Sequence, residues 1–542
     1  MTLDGSPLSI AQLCRAVKNT GSLQFETAAD LPQKMQASVD LVESAVAEGQ
    51  TIYGVTTGFG GMAGVAVPKE EATASQNNLL SFLATGAGNA IDRRHVRAAM
   101  LLRANVLAQG CSGVRFELVE RLLRFLETGA TPVVRELGSI GASGDLVPLS
   151  TIARAITGQS NNVKVQLGNR ILDGDNALQE VGLERLELLP KEGLALVNGT
   201  SFSSAIAANC VFESRHLMAL AFGVQGMMLQ ALQVQEEPFA AFVHQKKAHP
   251  GQVWSAGIMR RLLTEGRSHV NGKSAHVQDR YSLRCLPQYM GSIVEGIARI
   301  ADVVETEMNA VSDNPLIDMH SGTFYQSGNF LGQYVALAMD DLRKYIGLMA
   351  KHLDVQIATL VAPEFSAGLP ASLQGNPQVP YNMGLKGLQI TGNSIMPMLT
   401  WYGNPIVEHF PTHAEQFNQN INGLSWGSAN LAWKSVELFQ HYLSVGLIFA
   451  VQALDLRAKS VLGHYDGREL LGTMLSPLYE AACDAMNCSP NQQKPFLFDD
   501  GDQWLESSLA RLHTDIAQRG SVIPSVGPVL ESFDESFHQG QT

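Results

Sequence analysis

Residues 138–150 read Gly-Ser-Ile-Gly-Ala-Ser-Gly-Asp-Leu-Val-Pro-Leu-Ser. The tripeptide Ala142-Ser143-Gly144 at the centre of this run holds the atoms of a heterocycle. Glycine has no Cβ, so the Gly144 nitrogen can approach the Ala142 carbonyl closely. Attack there closes a five-membered ring, and loss of water leaves Ser143 as an exocyclic alkene. That alkene is an electrophile, which no ordinary side chain supplies, and it could activate an amine for departure. The plain alternative is a Gly/Ser loop ahead of a helix whose N-cap is Asp145. The tripeptide alone is common; the full run is far more specific.

Five further segments carry residues suited to chemistry. Tyr53-Gly54-Val55-Thr56-Thr57-Gly58-Phe59-Gly60-Gly61 puts a phenol on a glycine-rich loop, where it could act as a base. A free phenol titrates near ~10, so it needs positive charge or hydrogen bonds to work at neutral pH. The same loop fits G-x-G-x-x-A, but a dinucleotide site needs a helix directly after the glycines. Here Gly64 and Pro68 follow instead. Asn198 precedes a glycine and a long helical pattern, as either an N-cap or an amide aimed at a ligand. Gln278-Asp-Arg-Tyr281-Ser-Leu-Arg284 offers a guanidinium fork to a carboxylate, or a structural ion pair. Asp313-Asn314-Pro315 reads as a helix stop, with Gly328-Asn-Phe330 close behind. In His413-Ala-Glu415-Gln-Phe-Asn418-Gln419-Asn420, residues four apart would share one helix face, setting a carboxylate beside amides. No metal-ligand spacing and no G-x-S-x-G elbow stands out.

These segments need a scaffold, and composition bounds it. The 542 residues are 45% hydrophobic and only 16% charged, against a usual charged share of ~25%. Too few charges to cover a monomer favours an oligomer. A net charge of −13 with no basic run argues against nucleic acid. Six scattered cysteines without a C-x-x-C pair indicate neither zinc nor a disulfide framework. The N-terminus lacks a signal pattern, and the most apolar stretch, 442–454, is shorter than a ~20-residue membrane span. A cytoplasmic protein without membrane partners is the expectation.

Hydrophobic spacing predicts helices over 8–17, 31–48, 69–84, 93–108 and 114–128, then a small β-containing excursion at 162–185. Long helices follow at 202–235, 290–311, 332–361 and 428–457. In the second of these, Ile293, Ile297, Ile300, Val304 and Met308 form one apolar stripe. The fold class is therefore mainly α, a long central helical bundle with a mixed N-terminal domain carrying the 138–150 segment. Soft boundaries divide the chain into 1–200, 201–457 and a helical tail at 458–542, with a frayed end at 533–542.

Taken in order, these segments resemble the aromatic amino acid lyases and aminomutases that depend on a methylidene-imidazolone (MIO) group, above all the bacterial phenylalanine ammonia-lyases. The resemblance covers essentially the whole chain. It implies a fumarase/aspartase-like bundle and a homotetramer whose active sites are each lined by three subunits. It implies an MIO formed by Ala142, Ser143 and Gly144, with no metal or nucleotide. Tyr53 would take the β-proton and Arg284 would bind the substrate carboxylate. Asn198, Tyr281 and Gln278 would hold the electrophile and the amino end, with the Gly60 backbone close by. Asn314 would join the substrate-binding residues, and Lys386, Glu415 and Gln419 would form the polar far wall. Phe82, Leu83, Leu194 and Phe330 would surround the ring of a small aromatic amino acid.

In this family a histidine at the position of Phe82 accompanies tyrosine preference. The Phe82-Leu83 pair offers only apolar surface, and a buried phenol without a partner costs ~1–3 kcal/mol. The reading is therefore elimination of ammonia from L-phenylalanine to trans-cinnamate. The alternatives are a phenylalanine 2,3-aminomutase or a tyrosine ammonia-lyase of the same family. A catalytically silent helical scaffold would require a broken tripeptide or a lost Tyr53, and both are intact.

Overall fold

A computed structural model describes residues 1–18, 24–159, 162–267, 277–409 and 413–537. The chain is mainly helical. Its longest helices are Ser201–Ala231, Leu286–Asn309, Gln333–Leu360 and Ser425–Leu462. Each matches a stretch where the sequence places a long helix. The Ile293-to-Met308 stripe is buried along its whole length, as its spacing requires. Burial of each such side chain stabilises the fold by roughly 1.5–3 kcal/mol.

The chain forms two compact units. The first comprises 1–212, 300–340 and 405–433; the second comprises 213–299, 341–404 and 434–542. All strands among the described residues lie in the first unit. They make four small sheets, none with more than three strands. The excursion read at 162–185 is an antiparallel hairpin, Lys164–Leu167 with Arg170–Asp173, followed by the Gly174–Val181 helix. Thr131–Pro132 adds a third strand to it. The Arg93–Ala108 helix packs against Phe116–Thr128 in the same unit. It opens on Asp92, whose carboxylate accepts the Arg94 N–H at 2.8 Å.

Three local expectations need correction, and one helix was missed. Residues 69–71 form a short 3-10 turn, and the α-helix is Ala72–Phe82. The segment 413–420 is not a helix. Glu415, Gln416 and Phe417 all have positive φ, and Ala414 bridges Gln419 across the turn they make. Three consecutive left-handed residues cannot continue a right-handed helix. A helix at Lys386–Tyr402 escaped sequence reading because Pro397 sits inside it. At the end, 533–537 belongs to the Gly527–Phe537 helix, while 538–542 lies outside the described residues.

Candidate active site

The 138–145 segment is a loop compressed from below. Gly144 has φ +68°, and a Cβ there would lie 2.0 Å from the Gly199 carbonyl oxygen. Only glycine fits such a position. Gly144 and Gly199 form an isolated parallel bridge, and the Asp145 N–H donates to the Gly199 carbonyl at 2.8 Å. Ser139 Oγ donates to the Gly144 carbonyl at 3.1 Å and accepts the Gly141 N–H at 3.1 Å. Asp145 does begin the Leu146–Thr157 helix, but its side chain does not cap it. Its Oδ2 accepts the Ser203 N–H at 2.7 Å, in the first turn of the Ser201–Ala231 helix. Burial raises this carboxyl to about 6, against the opposing pull of Ser203 and Ser139.

Four helices begin at this loop. Leu146–Thr157 and Ser201–Ala231 are two of them. The Gly332 N–H, just before Gln333–Leu360, donates to the Gly141 carbonyl at 3.3 Å. The Leu424 N–H, just before Ser425–Leu462, donates to the Ile140 carbonyl at 3.0 Å. The partial positive charges of four helix N-termini therefore gather around residues 140–145.

Ser143 is held from two distant places. Asn198 Nδ2 donates to its carbonyl at 3.0 Å, and Gln419 Nε2 donates to its hydroxyl at 3.0 Å. Asn198 ends the Glu192–Val197 helix rather than capping the next one. Its buried Oδ1 has no partner among the described residues.

Above Ser143 opens a cavity of about 420 Å³, and every residue lining it belongs to the first unit. Eleven of the residues assigned from sequence line it. They are Tyr53, Gly60, Phe82, Ala142, Ser143 and Leu194, with Asn198, Asn314, Phe330, Glu415 and Gln419. Gly144 and Leu83 are buried and do not line it. Asn418, named within the 413–420 segment, lines it too, as do Leu79, Leu146, Gln326, Leu331 and Ile421, to which sequence reasoning gave no role. Helical spacing carried a signal for Leu79, one turn before Phe82; for Gln326 and Ile421 there was none.

Tyr53 reaches back along its own loop, and its Oη accepts the Gly60 N–H at 2.8 Å. A Cβ on Gly60 would lie 1.6 Å from Glu415 Oε2, so the phenol, the Gly60 backbone and this carboxylate share one corner. Burial and the Glu415 charge raise the phenol pKa, and the Gly60 hydrogen bond opposes them. Burial also raises Glu415. The loop is anchored by Gln76, which is fully buried. Gln76 Nε2 donates to the Gly54 carbonyl at 2.8 Å, and its Oε1 accepts the Leu194 N–H at 3.0 Å. Sequence reasoning missed Gln76; a lone amide on the buried face with Ala72, Leu79 and Leu80 is the signal that could have found it. After Gly60 the chain makes a three-residue 3-10 turn, which removes the dinucleotide reading of this loop.

Gln278, Tyr281, Arg284 and Lys386 lie in the second unit. Tyr281 opens the short Tyr281–Arg284 helix and is 73% exposed. The Arg284 guanidinium stacks over its ring at 4.7 Å. Gln278 and Lys386 are exposed. Among the described residues no three His, Cys, Asp or Glu side chains gather as a metal site. No described helix is long and apolar enough to cross a membrane.

Comparison with known proteins agrees with this geometry. Residues 8–481 match the family described as aromatic amino acid lyase. The chain is 48% identical to a phenylalanine ammonia-lyase of Nostoc punctiforme over 98% of its own length and 95% of the relative's. It is 41% identical to an aromatic ammonia-lyase of Loktanella atrilutea, covering 98% of this chain and 99% of that one. Among solved structures, tyrosine aminomutase from Streptomyces globisporus superposes with a TM-score of 0.86 at 26% identity, over 97% and 98% of the two chains. The chain belongs to the aromatic amino acid lyase family.

Proposed function

We propose that this protein eliminates ammonia from L-phenylalanine to give trans-cinnamate, using an MIO electrophile formed by Ala142-Ser143-Gly144. The observation that carries the reading is the grip on Ser143, with Asn198 on its carbonyl and Gln419 on its hydroxyl beneath an apolar-walled cavity. The residues fit the ring: Gly144 is folded tightly onto Gly199, and the buried Oδ1 of Asn198, a cavity-lining residue, has no partner among the described residues. Once formed, the group supplies an electrophile that makes the substrate nitrogen a better leaving group.

The chain's own residues do the rest. Tyr53 Oη accepts the β-proton, and the nitrogen leaves as ammonia. Leu194, Phe330 and Phe82, which line the cavity, enclose the aromatic ring, and Leu83 is buried next to Phe82 in the chain. No hydrogen-bonding side chain stands at Phe82 or Leu83 for a substrate phenol, which supports phenylalanine over tyrosine.

Within one chain the Tyr53 phenol is pushed above its usual range, so it needs a cation to serve as base. Arg284, the half-buried last residue of the second unit's Tyr281–Arg284 helix and stacked on Tyr281, supplies that cation and binds the substrate carboxylate, with Gln278 and Tyr281 beside the amino end. Lys386 completes the polar wall. These four come from neighbouring subunits of a homotetramer, each active site being shared. The low charge content and exposed Trp401, Ile390 and Met398 support such an assembly. The protein works in the cytoplasm.

The test is incubation of purified protein with L-phenylalanine while cinnamate, ammonia and β-phenylalanine are quantified together. Equal cinnamate and ammonia without β-amino acid is the expected result. Dominant β-phenylalanine makes the protein an aminomutase, a reading kept by its likeness to a tyrosine aminomutase. Turnover of tyrosine alone refutes the ring-pocket argument.

A further inference from the structure

Arg103 lies in the Arg93–Ala108 helix, on a stretch buried from His95 to Ala108. Its side chain is among the largest fully buried ones, and isolating a guanidinium from water costs several kcal/mol unless its donors are met. Its two Nη groups are met by two separate turns, while the buried Nε has no partner among the described residues. Nη1 donates to the Ser312 carbonyl at 3.2 Å and lies 3.5 Å from Ser201 Oγ. Nη2 donates to the Asn198 carbonyl at 3.1 Å and to the Ala195 carbonyl. The same two turns are tied again on either side. The Thr200 N–H donates to Ser312 Oγ at 3.1 Å, and Lys191 Nζ donates to Asp313 Oδ2 at 2.7 Å with both side chains fully buried.

Between this clamp and the reactive tripeptide stand Gly199 and Asn198, whose amide already holds the Ser143 carbonyl. A Cβ on Gly199 would lie 2.5 Å from Arg103 Nη1 and 2.4 Å from the Ser312 carbonyl oxygen. On its other side Gly199 touches Gly144, whose own Cβ would strike the Gly199 backbone. The layers Arg103–Ser312, Gly199 and Gly144 therefore leave no room for a methyl group.

We propose that Arg103 is a positioning residue for electrophile formation, clamping the 195–201 and 312–314 turns so that Gly199 backs onto Gly144 and holds the tripeptide bent for ring closure. This rests on the reading that Ala142-Ser143-Gly144 cyclises. Closure makes a bond from the Gly144 nitrogen to the Ala142 carbonyl carbon. That carbonyl oxygen leaves as water with the hydrogens of the Gly144 and Ser143 nitrogens. A second water leaves with the Ser143 hydroxyl and the Ser143 Cα hydrogen. Arg103 takes no proton in this sequence; its fork spans two turns, which a lysine's point charge cannot do.

The experiment compares intact masses, melting curves and kinetics of wild type, Arg103→Lys and Ser312→Ala. Wild type is expected to be lighter than its sequence by two water molecules. Folded Arg103→Lys is expected to retain both waters in most molecules, with kcat per total protein down roughly a hundredfold and KM unchanged in the active remainder. Folded Arg103→Lys that has lost both waters and keeps wild-type kcat overturns the proposal, even if its melting point falls. Should Arg103→Lys fail to fold, Ser312→Ala decides. It deletes only the Thr200 contact, and after pulsed expression its mass loss is expected to lag several-fold. Mass loss at the wild-type rate then overturns the proposal. A wild type with no missing waters refutes the cyclisation reading itself, a result distinct from dehydrated Arg103→Lys.

Discussion

The cavity has a floor and a rim built on opposite principles. The floor is residues 142–145, 195–203 and 312–314. There nearly every side chain is buried, and the polar groups are spent on one another: Arg103 on carbonyls, Lys191 on Asp313, Asp145 on Ser203. The rim is the 58–64 loop, Phe82 and the 413–421 turn. It exposes Met62, Phe82, Phe417 and Ile421, and it is shaped by left-handed residues such as Gly60 and Glu415–Phe417. A dense, desolvated network resists rearrangement, because each broken bond leaves a further buried polar group unpaired. An exposed turn carries no such cost. The floor is thus suited to bending its own backbone into a reactive group, and the rim to admitting and sorting substrates.

The contrast is tested most severely at Ser143. Ser143→Ala removes the hydroxyl that must leave with the second water, so no alkene forms and turnover should vanish while the protein folds and keeps at least one of the two waters. Near-normal activity would detach the floor from the chemistry. Tyr53→Phe strikes the rim side instead, at the phenol that accepts the Gly60 N–H. It should lower kcat by about 10²–10⁴ yet leave the mass loss of the floor intact. A Tyr53→Phe protein still carrying both waters would mean that rim and floor are coupled in cyclisation.

The pH dependence of wild type sharpens the assignment. Burial raises the phenol's pKa, and the base works only when deprotonated. The kcat/KM should therefore climb as pH rises and fall as it drops, and Tyr53→Phe should flatten that limb. An unchanged limb in the variant assigns the titration to another group.

Phe82→His is expected to do less. Phe82 is 49% exposed in the isolated chain, and a ring nitrogen there can pair with a substrate phenol. The tyrosine/phenylalanine ratio in kcat/KM should rise by about tenfold, within the ~1–3 kcal/mol of an unmet phenol. A constant ratio would show that ring recognition does not lie at this part of the rim.

The last effect bears on stability rather than turnover and concerns the helix under the floor. His95 packs edge-on against Trp433 with ring centroids 4.5 Å apart. Neither of its ring nitrogens has a partner among the described residues, and burial lowers its pKa to about 3. The unfolded chain therefore binds a proton there that the folded chain refuses. Stability from this site is complete above the ordinary histidine range and is lost as pH falls from there toward about 3. His95→Phe keeps the edge-on contact without the proton. At pH 5 it should gain about 2 kcal/mol over wild type relative to their difference at pH 8, read from denaturant curves. Parallel curves at both pH values would place the acid sensitivity elsewhere.

Much of this was legible in the amino-acid order alone. Extended, alanine-rich stretches nearly free of proline marked all four of the longest helices, and in one of them an apolar stripe recurring every three to four positions marked the buried face. The Ala142-Ser143-Gly144 chemistry was legible because the reacting atoms are neighbours in the chain, and the Tyr53 loop because its glycines are local signals. Tertiary packing settled the rest. Nothing local announced that Gln419 would meet Ser143 across 276 residues, or that the turn at 415–417 would be left-handed. Arg103 looked like any helix-face cation until the Asn198 and Ser312 carbonyls closed around it. Such pairings depend on which long-range contacts repay the entropy of closing large loops, and no residue's own propensity encodes that balance.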